Sequence, residues 1–286
     1  MTADIVAIVA RALSFIAMLQ AAGIAIFLAL FGRMLSESTS DLRRMGLWSS
    51  YAGVLLVCLH QLLEAARMTG VLSGVLDASL HARSLFSATG LANGLRVVGL
   101  ICIIVAFQFR RRRSVAIGLI GSLLVASAFA ATGHTSINPQ RWLLAPLLLL
   151  HLWVVAFWFG ALWPLYRVTY LEPQRAAAIV ARFSSIATWL VPGTALAGVV
   201  IATVIVPNRK ALLEPYGLLL LGKVLCFSLL MGLAALNKLR WGPALARGDT
   251  RAISALRRSV IAEFGLIVVV LGTTATMTSL YSPMNE

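Results

Sequence analysis

The chain has 286 residues, 60% of them hydrophobic and only 12% charged, and its mean hydropathy is +0.91. A water-facing surface needs about 25% charged residues, so this composition excludes a soluble globular domain. The net charge of +14 does not point to nucleic acid, because Lys and Arg fall mainly in short gaps between apolar runs, where charges orient membrane helices.

Apolar stretches long enough to cross a hydrocarbon core of about 30 Å recur from end to end. They predict eight membrane spans, at residues 5–31, 47–67, 86–109, 114–132, 143–166, 180–206, 216–237 and 259–280. Each is helical, since lipid offers no partner to open backbone groups. The expected fold is all-α: a polytopic transmembrane helical bundle forming one domain over residues 1–286. The first stretch carries Asp4 where a secretory leader would be basic, so it reads as a membrane helix and not as a signal peptide. Between spans two and three, VLSGVLDASLHARSL suits a short helix lying at the interface. Pro146, Pro164 and Pro192 are expected to kink or end spans five and six.

The loops carry the orientation. Arg33, Arg43 and Arg44 follow span one, and Arg110, Arg111, Arg112 and Arg113 follow span three. Arg167, Arg175 and Arg182 surround the gap after span five, and Lys238, Arg240, Arg247, Arg251, Arg257 and Arg258 lie between spans seven and eight. These sixteen basic residues occupy alternate loops, against five (Arg67, Arg83, Arg141, Arg209, Lys210) on the opposite side. The positive-inside rule then places the sixteen in the cytoplasm and both termini outside.

Polar groups inside a membrane are costly and mark candidate sites. His60 and Glu64 are four residues apart on span two and share a face. They read as a metal or haem ligand with a carboxylate partner, as a proton relay, or as a structural hydrogen bond. His134 stands where span four reaches the outer surface, His151 lies on span five, and His81 lies on the outer connection. All four histidines thus fall on one side, which points to a shared metal site; imidazole suits copper, zinc and haem iron. Met277, Met68 and Met284 lie on the same side, as packing residues or as thioether copper ligands. Cys58, Cys102 and Cys226 each sit in an apolar run and imply no disulfide framework. Arg11 and Lys223 are placed to snorkel outward. Arg96 is deeper and is expected to pair with a carboxylate, Glu64 being nearest in depth. Glu263 lies near the inner end of span eight. No P-loop, Rossmann fingerprint, CxxC pair or HExxH motif is present, so ATP-driven pumping by this chain alone is not expected.

Several blocks in the second half carry a resemblance. They are GHTS at 133–136, HLWVVAFWFGALWPL at 151–165, RFSSIATWLVPGTALAGVV at 182–200, YGLLLLGKVL at 216–225, LAALNKLR at 233–240 and TSLYSP at 278–283. In order and spacing they resemble the copper resistance protein D (CopD/PcoD) family of bacteria over residues 130–284; the first half matches in hydropathy and length. The resemblance implies copper import at the bacterial inner membrane, with a periplasmic copper carrier of the CopC type as partner. It marks His134, His151, Trp158, Gly160, Lys223 and Asn237 as family-like positions.

The sequence therefore supports a non-enzymatic copper permease, receiving copper at His60, Glu64, His81, His134, His151 and Met277, with Arg96, Lys223, Asn237 and Trp158 as polar support inside the membrane. The alternative is a haem b protein passing electrons to periplasmic Cu(II), with His60 and His151 as axial ligands. In either case the ligand-type side chains concentrate in the outer half, and the inner half is expected to be poor in them.

Overall fold

A computed structural model describes residues 2–35, 39–69, 72–109, 112–132, 138–206 and 210–280. Among these, the chain forms α1 (Thr2–Leu35), α2 (Thr39–Thr69), α3 (Ala78–Leu85), α4 (Ala88–Gln108), α5 (Arg112–Ala130) and α6 (Arg141–Val168). There follow α7 (Pro173–Ile205), α8 (Pro215–Leu236), α9 (Gly242–Ala246) and α10 (Thr250–Leu280), and no strand occurs among the described residues. Eight helical stretches are long and apolar enough to cross a membrane, the last but one running from Pro215 through α8 to Ala246. The expected all-α polytopic bundle is thus the observed one.

Three helices start well before their apolar stretch: α2 at Thr39, α7 at Pro173 and α10 at Thr250. Hydropathy registers only the lipid-facing part, whereas the helix ladder continues until local chemistry stops it. Pro173 fits the first turn of α7, where its missing N–H costs nothing. Asp249 accepts the Arg251 backbone N–H at 2.8 Å ahead of α10. The prolines end no helix: α6 runs through Pro146 and Pro164, and α7 runs through Pro192.

The core is built around α1, which packs against α2, α5, α6 and α10 and buries Met18, Leu19, Ile24, Phe27 and Phe31. Its closest approach is to α6. A Cβ on Gly23 would fall on the Ala156 carbonyl and within 2.6 Å of the Gly160 Cα, and one on Gly160 would strike the Gly23 backbone. Small residues at such crossings let membrane helices pack backbone to backbone. On the other flank of α1, Ser122 of α5 donates to the Ala22 carbonyl at 3.0 Å.

At one end of the bundle, arginines close the carboxyl termini of helices. Arg43 of α2 donates to the Phe107 carbonyl of α4 at 3.2 Å, and Arg175 of α7 donates to the Met34 carbonyl of α1 at 3.0 Å. Arg257 of α10 donates to Thr169, just past α6, at 2.7 Å to its hydroxyl and 3.2 Å to its carbonyl. The last carbonyls of a helix have no partner within it and carry its negative dipole end, so guanidinium groups fit there twice over. These helix-borne arginines thus fasten the bundle as well as charging one end of it, called here the basic end.

At the far end, a 3₁₀ turn (Leu72–Leu76) and α3 form the connection expected at the interface. Leu76 and Phe86 flank α3 and are 88% and 94% exposed, an apolar pair suited to the lipid boundary. Asp77 caps α3, accepting from Ser79 N at 2.8 Å, Ser79 Oγ at 2.7 Å and Leu80 N at 3.3 Å. These donors, the Ser79 hydroxyl foremost, hold its carboxyl below the usual carboxylate range. The cap therefore contributes fully above the ordinary Asp value and is lost as pH falls through the lowered one. Asp77→Ala is expected to speed amide exchange at Ser79 and Leu80 at neutral pH, and to leave no difference from wild type in strong acid.

Candidate functional site

The polar groups of the far end form a ladder across three helices. Gln61 of α2 donates to Ser84 Oγ at 2.8 Å and accepts from Asn93 Nδ2 of α4 at 2.7 Å. Arg96 donates to Asn93 Oδ1 at 2.6 Å, and its guanidinium lies 5.1 Å from the Phe129 ring centre on α5. The expected pairing of Arg96 with Glu64 is therefore replaced. Asn93 stands one turn away on the same helix and offers a neutral acceptor, and the ring face of Phe129 takes the cationic carbon. Gln61 and Asn93 were missed as site residues, although both are polar side chains in apolar stretches, one beside His60 and one a turn from Arg96.

The sequence-predicted ligands are dispersed. His60 is buried on α2, which packs on α1 and α4, and Glu64 is half-buried on the same helix. His151 of α6 turns to α7, its Nδ1 lying 3.1 Å from the Thr194 carbonyl, with Gly198 against the same ring. His60 and His151 stand on α2 and α6, both of which pack on α1. His81 contacts the Val75 carbonyl through Nε2 at 2.6 Å, which ties α3 to the turn before it. Met277 is buried on α10, beside Thr278, whose carbonyl accepts from Arg11 of α1 at 2.9 Å. Lys223 of α8 is half-buried and within electrostatic range of His151. His134 and Met284 lie outside the described residues, as do Arg110, Arg111 and Arg209. Among the described residues, no group of three or more His, Cys, Asp or Glu side chains is positioned to hold a metal ion.

The best-formed polar site lies toward the basic end. Glu263 of α10 is 3% exposed, yet accepts from Trp158 Nε1 of α6 at 3.0 Å and from Asn237 Nδ2 at 2.6 Å. Asn237 opens a π-helical turn (Asn237–Trp241) between α8 and α9, a widening that recurs at functional sites. The three residues border a cavity of about 320 Å³ among α6, α7, α8 and α10, with Met231, Pro192, Thr188 and Lys238 also on its walls. Pro192 lacks an N–H and so frees the Thr188 carbonyl from the helix ladder. Lys238 donates to Thr188 Oγ1 at 2.7 Å. Two backbone irregularities and a buried carboxylate thus meet at one cavity. Glu263, placed near the inner end of the last span by the sequence, thus has neutral polar partners around it. Trp158, Asn237 and Glu263 stand apart in sequence, and the packing of α10 against both α6 and the π turn brings them together.

These features define a multi-pass α-helical membrane protein with an intramembrane polar site. Residues 1–140 match the family described as copper resistance protein D-like, N-terminal domain, and residues 177–277 match copper resistance protein D. The chain is 32% identical over 253 residues to copper resistance protein D of Pseudomonas syringae pv. tomato, a match covering 81% of each chain. It belongs to the copper resistance protein D family. The relationship extends beyond the blocks at 130–284, since the first half matches a family domain of its own. No solved structure matches.

Proposed function

We propose that this protein carries copper through the bacterial inner membrane, taking it at the far, periplasmic end from a periplasmic copper-binding protein of the CopC type and releasing it at the basic, cytoplasmic end. In this reading it is a permease and not an enzyme, and both termini are periplasmic. Sixteen basic residues on alternate loops support the orientation, and membership of the copper resistance protein D family supports the cargo.

The observation that carries the transport reading is the seam between α6 and α7. His151 and Trp158 are seven residues apart on α6, about 10 Å along the axis, and so lie on one face. His151 contacts α7 at Thr194, and the cavity beside Trp158 is bordered by Val191 and Pro192 of the same helix. The seam therefore joins an imidazole in the far half to a cavity toward the basic end. His60, Glu64, His81, His134 and Met277 remain the receiving side chains of the far end in this reading, with Arg96 and Lys223 as fixed charges beside them.

Copper accumulation in cells tests it. His151→Ala is expected to lower accumulation to the level of cells lacking the protein, with the variant still present in the membrane. Accumulation and copper sensitivity unchanged from wild type would remove His151 from the route.

A further inference from the structure

Glu263 differs from a structural carboxylate in what surrounds it. Ionisable side chains that lock a membrane bundle pair with one another or with backbone groups. The polar groups around the Glu263 carboxylate, the Trp158 indole, the Asn237 amide and the Ser259 hydroxyl one turn away on the same helix, are all neutral. The groups facing the cavity are few. α6 brings Trp158, α7 brings the Ser184 and Thr188 hydroxyls, and the π turn brings Asn237 and Lys238. Among the described residues, Lys238 is the one charged group on the cavity wall besides Glu263, and its ammonium is bound to Thr188 Oγ1.

The second observation is Asn237 itself. It is 9% exposed and spends its amide nitrogen on Glu263, while its Oδ1 has no hydrogen-bond partner. That arrangement suits a carboxylate, which only accepts. A protonated carboxyl must also donate. Turning the Asn237 amide over would present the idle Oδ1 to that proton. One side chain can thus serve both protonation states. The cavity borders the carboxylate, and the π turn and Pro192 lie on its wall.

We propose that Glu263 is a proton-exchange site: a proton from water binds one carboxylate oxygen through this cavity and leaves the same way, and its presence sets the rate of copper passage. The coupling rests on the transport reading given above; the proton site does not.

Two measurements on the full-length protein separate these. Infrared difference spectra between acid and alkaline buffer are expected to contain the carbonyl stretch of a buried protonated carboxyl, absent in Glu263→Gln and restored, with altered frequency, in Glu263→Asp. In vesicles loaded with the purified protein, copper flux is expected to vary about tenfold per pH unit on one limb, as a single-proton site requires, and to be flat in Glu263→Gln. Flux with no such band, or a wild-type pH profile in Glu263→Gln, overturns the proposal and leaves transport standing. A titrating band without copper flux in any variant sinks transport and keeps the proton site. Glu263→Asp also guards against a misfolded Gln variant being taken for loss of a proton.

Discussion

Gly160→Leu is expected to leave little or no folded protein in the membrane, and Gly23→Leu to do the same. Inserting methylenes into a packed core costs about 1–3 kcal/mol when side chains give way. Here the atoms met are the Ala156 carbonyl and the Gly23 and Gly160 backbones, which belong to two continuous helices and cannot rotate aside. The helices must separate instead, and α1 is the element on which α2, α5, α6 and α10 all pack. Gly32 supplies the control, because a Cβ there meets nothing within 4 Å. Gly32→Ala is expected to be neutral, or to stabilise by up to about 1 kcal/mol through helix propensity. Thermal unfolding and gel filtration in mild detergent distinguish the three variants. Gly160→Leu with wild-type melting behaviour would mean that the α1–α6 contact is looser than described.

The second large effect is expected at Arg257. Its guanidinium donates to both the hydroxyl and the carbonyl of Thr169 and lies 3.8 Å from the Tyr170 ring centre. Hydrogen bonds from a charged donor are worth about 1.5–3 kcal/mol, and the ring contact adds about 0.5–1 kcal/mol. Arg257→Ala is expected to destabilise by about 2–3 kcal/mol. The ion pair between Arg167 and Asp41, at 2.6 Å, is a shorter contact, but its side chains are 42% and 57% exposed. Exposed pairs contribute about 1 kcal/mol or less, so Asp41→Ala is expected to be mild. The comparison is best made by thermal unfolding at two salt concentrations, where only the Asp41 effect should shrink with salt. A larger loss from Asp41→Ala than from Arg257→Ala would overturn this ranking.

Much of the bundle was legible in the sequence because lipid imposes one rule on every span. Eight apolar stretches gave eight helices, and the pattern around Asp77 gave the short helix α3. The helix starts at Thr39, Pro173 and Thr250 were not legible, since hydropathy falls before the helix does. The site was less accessible for a different reason. Arg96 looked like a cation in search of an anion, and Glu64 was the plausible anion by depth. Depth along two separate helices does not fix the facing of either, whereas Asn93 is fixed one turn from Arg96 by the helix itself. Trp158 and Asn237 stood out through the resemblance, without any indication that Glu263 joins them. The histidines are alike in chemistry and were expected on one side of the membrane, but His81 contacts the Val75 carbonyl and His151 the Thr194 carbonyl. Sharing a membrane face is therefore a weaker indication of a common site than it first looks.

The arginine contacts at the basic end also imply an order of assembly. Each joins segments made at different times: Arg43 waits for Phe107, the Met34 carbonyl waits for Arg175, and Thr169 waits for Arg257. During synthesis the end of α1 stays open until α7 has begun, and the end of α6 until α10 has begun. A chain released before α10 would expose an unsealed helix terminus at the membrane surface. The last helix therefore marks completion, because only its Arg257 closes the end of α6.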